Sequence, residues 1–126
     1  MNKKLVALAA VFLLYGCSNM PGFLGGRPAR TVDGVLVDPA NGMTLYTFDK
    51  DSVGKSTCVG GCATNWPPFK APADAKAEGD YTVVTREDGS KQWAYKGRPL
   101  YLWMKDQKPG DRTGDAFNNV WRVARP

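Results

Sequence analysis

The chain has 126 residues, with 17 Lys plus Arg against 12 Asp plus Glu, three cysteines and no histidine. Without imidazole there is no histidine general base, no histidine metal ligand and no Ser-His or Cys-His nucleophile pair. The charges are interspersed with no basic stripe, which speaks against a nucleic-acid partner.

Lys3 and Lys4 supply a positive start, and Leu5 to Tyr15 is an uncharged apolar run of eleven residues. A bilayer crossing needs about 20 residues, so the run suits the apolar region of a secretory signal peptide instead. It closes in Leu14-Tyr15-Gly16-Cys17. These residues resemble the lipobox of bacterial lipoproteins, with Tyr15 bulkier than the small residue usual there. The resemblance implies a signal peptide over residues 1–16 and a mature chain that begins at Cys17 and carries the lipid on it. An ordinary signal peptide containing a cysteine is the alternative. Ser18, rather than aspartate, follows Cys17, which by analogy with enterobacterial sorting points to the outer membrane. Acyl chains contribute about 0.8 kcal/mol per buried methylene, so a three-chain anchor is effectively permanent. Loss of Lys3 and Lys4 leaves 15 basic residues against 12 acidic, a mild surplus compatible with some attraction to anionic lipid.

Residues 17–30 are rich in Gly and Pro and lack periodicity, and they read as the lipidated cysteine followed by a flexible tether. A domain follows over residues 31–126. Residues 34–38 (GVLVD) and 43–48 (MTLYTF) read as strands around Asn41-Gly42, a strong hairpin signal. Cys58 and Cys62 in "CVGGC" remain as a pair once Cys17 is assigned to lipid. In an oxidising envelope they read as a short-loop disulfide, with Gly60 and Gly61 supplying backbone freedom. Those two glycines disfavour a helix start. Pro67-Pro68 forbids a central strand after Trp66, and residues 73–79 (ADAKAEG) make one helical turn at most. Residues 82–86 (TVVTR) and 91–95 (KQWAY) form a second hairpin around Glu87-Asp88-Gly89-Ser90. Residues 96–99 turn the chain into 100–104 (LYLWM), and 120–124 (VWRVA) read as a closing strand.

Slid against itself by 55 residues, the chain echoes without a gap. Asp33-Gly34 falls on Asp88-Gly89, Gly42 on Gly97, Leu45-Tyr46 on Leu100-Tyr101, Phe48 on Trp103, Asp51 on Asp106 and Trp66 on Trp121. The expected fold is therefore mostly β: a single small domain of two tandem β repeats, about 31–78 and 79–126. Units of this size bury too little surface alone, so the repeats should share one core. Alternation puts Tyr46 with Phe48, and Tyr101 with Trp103, on one face of their strands. Leu100, Leu102 and Met104 make the second strand apolar on both faces, whereas Leu45, Thr47 and Asp49 grow polar. These aromatics are expected mainly as core, with a stacking platform for a sugar or peptide as the sharper alternative. Asp51 and Asp106 each end a strand, where a carboxylate bonds loop amides. The alternative is an ion site drawn from Asp106, Asp111 and Asp115, at a spacing that matches no EF-hand.

The phrases "YTFDKD" and "YLWMKD" both fit Tyr-x-(Phe/Trp/Tyr)-x-x-Asp. With "GKSTCVGGCATNWPP" and "KPGDRTGDAFNNVWRVA" they resemble a family of predicted bacterial lipoproteins built on a secreted repeat of unknown function. The resemblance covers the chain from about residue 31. Many relatives carry histidine just after the second-repeat tryptophan, where this chain has Arg122, so no role of that histidine transfers. The resemblance implies envelope localisation and this architecture, and it brings no activity.

No catalytic constellation, cofactor site or metal site emerges, and an enzyme is not expected. "CVGGC" has three intervening residues where a thioredoxin-like site has two. The expectation is a non-catalytic lipoprotein module, anchored to membrane, that binds an envelope protein or glycan. The alternative is a redox or metal-handling lipoprotein centred on Cys58 and Cys62, with Met43 or Met104 as further soft ligands.

Overall fold

A computed structural model describes residues 27–126; the signal peptide, Cys17 and most of the tether lie outside the described residues. Strand β1 (Arg30–Val32) turns at Asp33-Gly34 into β2 (Val35–Val37). Both turn residues have positive φ, 50° and 80°, as a two-residue hairpin requires to match strand twist. Ala29 is only 3% exposed, so the last two residues assigned to the tether belong to the fold. Ala29 is buried in the cluster that holds Leu36, and exposed Arg30 pairs with Val37 in the β1–β2 ladder, which outweighs the lack of sequence periodicity there.

The Asn41-Gly42 turn returns the chain alongside β2, with Val37 bridged to Thr44. Strand β3 (Tyr46–Phe48) then leaves β2 and pairs antiparallel with β8 (Trp121–Val123), Tyr46 opposite Val123 and Phe48 opposite Trp121. Between them lie the short helix α1 (Gly61–Asn65) and strands β4 (Lys70–Ala71), β5 (Tyr81–Thr85), β6 (Lys91–Tyr95) and β7 (Arg98–Pro99). The β5–β6 hairpin closes at Glu87 to Ser90, where the Arg86 amide donates to the Ser90 carbonyl. Strands β4 and β7 share the other edge of β6. In β6, Gln92 and Ala94 are buried and their neighbours partly exposed, the alternation of a half-buried strand.

The two repeats are joined by exchange. In the first half, Leu45 N–H donates to the Leu36 carbonyl, Leu36 N–H to Ala124 and Ala124 N–H back to Leu45, at 2.8–2.9 Å. In the second, Leu100 donates to Trp93, Trp93 to Phe69 and Phe69 back to Leu100, each at 2.9 Å. Leu45 and Leu100 are repeat equivalents, as are Phe69 and Ala124. Each repeat's central strand is thus completed by the tail of the other repeat. Two apolar clusters flank this arrangement. One contains Val37, Tyr46, Trp66, Tyr101, Trp103 and Trp121; the other contains Leu36, Leu45, Phe69, Tyr81, Leu100 and Ala124. Both draw on both halves, which is one shared core in the expected sense.

Three expectations are corrected. A helix does start at Gly61, because Gly60 takes φ 59° at its N-cap, a conformation glycine adopts without strain. Residues 100–104 do not run as one strand buried on both faces. Tyr101 makes isolated bridges to Tyr46 and Pro68, and Met104, in the following turn, is 53% exposed. Thr47 in β3 is buried rather than part of a solvent face.

Candidate functional site

The repeated phrase meets its own copy at Tyr46 and Tyr101. Tyr46 N–H donates to the Tyr101 carbonyl at 2.8 Å, and Tyr101 N–H to the Tyr46 carbonyl at 2.9 Å. The phenols then cross over. Tyr46 Oη donates to Asp106 Oδ2 and Tyr101 Oη to Asp51 Oδ2, both at 2.6 Å. Each motif tyrosine is therefore held by the motif aspartate of the other repeat. The second carboxylate oxygen clasps the loop that follows it. Asp51 Oδ1 accepts from Thr57 N–H (2.7 Å) and hydroxyl (2.9 Å); Asp106 Oδ1 accepts from Thr113 N–H (3.0 Å) and hydroxyl (2.6 Å). The aspartates thus bond loop amides at the strand ends, and they also bridge the halves.

Tyr46 and Tyr101 are both 0% exposed. Burial, and after it the hydrogen bond to Asp106, push the Tyr46 phenol far above its ordinary range. Burial and Asp51 do the same to Tyr101. Ionising either phenol would place a second anion beside a carboxylate out of water.

The aromatic residues complete the same symmetry. Phe48 stacks on Trp121 at 4.2 Å, Trp121 on Trp66 at 3.8 Å and Trp66 on Trp103 at 3.9 Å. Tyr46 meets the edge of Trp66 at 5.3 Å, and Tyr101 meets Trp121 at 5.2 Å. Pro67-Pro68 removes the strand after Trp66, yet Trp66 and Trp121 still occupy equivalent places at the centre of a four-ring stack. With Trp66 3% exposed, the middle of this stack offers no face to a sugar or peptide. Gly114 lies against it: a Cβ there would come 2.5 Å from Trp66 and 3.0 Å from Trp103.

One member of the site has no repeat counterpart and was not singled out from sequence. Arg86, 8% exposed, donates to Ser56 Oγ (2.9 Å), Gln92 Oε1 (2.8 Å) and the Cys58 carbonyl (2.7 Å). Ser56 Oγ in turn lies 2.6 Å from Tyr101 Oη. With Arg86 donating to Ser56 and Tyr101 donating to Asp51, the bonds run in one direction from cation to carboxylate. Burying Arg86 is tolerated because its fork is hydrogen-bonded and linked to Asp51. A basic residue ending a strand gives no sequence signal of this.

Cys58 and Cys62 are disulfide-bonded with Cα atoms 5.2 Å apart. Cys58 is sealed in the core, and Cys62, the second residue of α1, is partly exposed. The sulfurs are therefore not thiolate ligands in this structure. Asp106, Asp111 and Asp115 do not converge. Asp111 accepts from the Gln107 and Lys108 amides and from Lys108 Nζ, and these hold its carboxyl below the usual range, the Gln107 amide first. Asp115 accepts from Val123 N–H. Among the described residues no three Cys, Asp or Glu side chains are grouped to hold a metal, and no helix is long and apolar enough to cross a membrane. Arg122, after Trp121, pairs with Asp49 at 3.0 Å.

A family model described as a secreted repeat of unknown function matches residues 29–70 and again 82–125. No curated protein and no solved structure matches the chain.

Proposed function

The chain belongs to the family of secreted repeats of unknown function, and from that premise we propose that it is a lipid-anchored envelope module that is non-catalytic and serves as a rigid binding or structural body. The observation that supports this reading is the mutual commitment of the motif's reactive groups. Both phenols and both carboxylates are bonded to one another across the repeats, so the residues that define the motif serve the fold. The anchor reading rests on the lipobox at Leu14 to Cys17, with the outer membrane as destination because Ser18 follows.

Intact mass measurement of the full chain extracted from the cell envelope tests both parts. The expected species begins at Cys17, carries acyl chains and lacks two hydrogens at Cys58 and Cys62. A mature chain beginning elsewhere without lipid would overturn the anchor. A substantial population of free thiols, or a retained metal, would move the functional centre to the cysteine pair.

A further inference from the structure

The basic residues that are scattered in sequence are gathered by the fold. A cleft of about 430 Å³ is lined by Lys96, Arg98, Arg122 and Arg125 together with Thr47, Tyr95 and Pro126, and no Asp or Glu side chain lines it. The cations come from two places. The β6–β7 turn has positive φ at Lys96 and Gly97, 50° and 84°, which projects Lys96 and Arg98 from a tight hairpin. The exposed end of the chain after β8 brings Arg125, and β8 itself brings Arg122. Arg122 is partly neutralised by Asp49. Among the described residues Lys96, Arg98 and Arg125 form no ion pair. Buried Thr47 lines the cleft, and its hydroxyl makes no hydrogen bond among the described residues.

We infer that this cleft takes the phosphate of an anionic lipid headgroup and seats the domain on the membrane that anchors it. The inference deepens the anchored reading above and rests on it. Charge complementarity is the first support: low-dielectric walls lined by one sign of charge concentrate the opposite ion. The second is position. Tyr95 and Pro126 also line the adjoining cleft, where Arg27 and Arg30 mark the start of the described chain. Cys17 precedes Arg27 by ten residues, a span of at most about 35 Å when fully extended. A tether of this reach, comparable to the width of a domain of about 100 residues, holds the domain close enough for the cleft to meet the bilayer surface, and the cleft's cations would then select that orientation. Each cation held at an anionic surface shifts the bound-to-free balance about fivefold, and the effect fades beyond a Debye length of about 8–10 Å.

The test uses the full chain reconstituted through its own anchor into vesicles of phosphatidylcholine, alone or mixed with phosphatidylglycerol. Acetylation of Lys96 by a neutral reagent is read by mass spectrometry relative to exposed Lys76, which lies outside the cleft. On the mixed vesicles Lys96 should label at least about tenfold more slowly than on phosphatidylcholine, three free cations being engaged. In Arg98→Gln/Arg125→Gln, or in high salt, most of that difference should vanish. Equal labelling on the two vesicle types overturns the inference and leaves the anchor standing. Should the intact mass show no acyl chains, flotation of the same protein with the two vesicle types decides. Preferential capture by the anionic vesicles that needs Arg98 and Arg125 supports the cleft alone, and equal capture sinks it. Inorganic phosphate is the last arm. Protection by phosphate in solution equal to that on the mixed vesicles would assign the cleft to a soluble phosphate and overturn the lipid reading.

Discussion

Replacing Gly114 with alanine adds one methyl group to the tightest point of the core. The new Cβ would stand 2.5 Å from Trp66 Cη2 and 3.0 Å from Trp103 Cδ1, well inside van der Waals contact. Trp66 has no room to retreat. Trp66 is stacked between Trp121 at 3.8 Å and Trp103 at 3.9 Å, and its edge meets Tyr46. Moving Gly114 instead would stretch its N–H bond to Tyr46 Oη, already 3.2 Å. Overpacking of this kind costs roughly 1–3 kcal/mol, and a site with rings on two sides belongs at the upper end, about 3 kcal/mol. For a domain near 100 residues that lowers the thermal midpoint by roughly 12–24 °C. Gly61→Ala is the control. Gly61 opens α1, has no neighbour within 4 Å of an added Cβ and keeps ordinary φ, so alanine there should be neutral or stabilise by about 0.4–1 kcal/mol. Urea titrations followed by tryptophan fluorescence measure both. If Gly114→Ala unfolds at the same urea concentration as the parent, the four-ring stack is not packed as described.

Tyr46→Phe and Tyr101→Phe should each cost about 1.5–3 kcal/mol, as expected for a bond to a charged acceptor. Tyr101→Phe should cost more, because it also strands Ser56 Oγ at 2.6 Å while Tyr46 loses only a longer amide contact; chemical denaturation reads the order. Both phenols have folded-state pKa values above the ordinary 10.0. Their contribution is therefore fully present below about pH 10 and lost as pH rises further. Urea midpoints measured from pH 7 to 11 should fall above pH 10, and more gently in the Tyr46→Phe/Tyr101→Phe protein. Cys58→Ser/Cys62→Ser closes no loop, and for so short a loop the loss should be about 2 kcal/mol or less. Its circular dichroism should remain that of the parent, and a collapse to an unfolded spectrum would show that the disulfide is required for folding.

The sequence carried the architecture further than the contacts. A shift of 55 residues aligns Tyr46 with Tyr101 and Asp51 with Asp106, which exposes two copies and one shared core. Self-alignment has no direction in space, so it pairs each residue with its copy and cannot say that Tyr46 reaches Asp106 instead of Asp51. The β5–β6 hairpin was legible because Asp88-Gly89 lies between two runs of strand formers. Pairing of β3 with β8 was not, since these strands are separated by most of the domain and no local pattern specifies a distant partner. Helix α1 was hidden because two glycines lower helix propensity, whereas a single positive φ at Gly60 suffices to start it. Trp66 and Trp121 align at the same shift and their rings do stack, although Pro67-Pro68 keeps the chain after Trp66 out of a central strand. Arg86 and the basic cleft share one cause: their residues become neighbours only through tertiary folding.

Cross-repeat exchange is the claim on which the fold and the proposed role both stand, and double-mutant cycles measure it directly. Tyr46→Phe combined with Asp106→Ala, and Tyr101→Phe with Asp51→Ala, should each show a coupling of about 1–2 kcal/mol. The same-repeat pairs, Tyr46 with Asp51 and Tyr101 with Asp106, should be additive within about 0.5 kcal/mol. Coupling confined to the same-repeat pairs would mean that each repeat closes on itself, and the exchanged core described for this chain would be wrong.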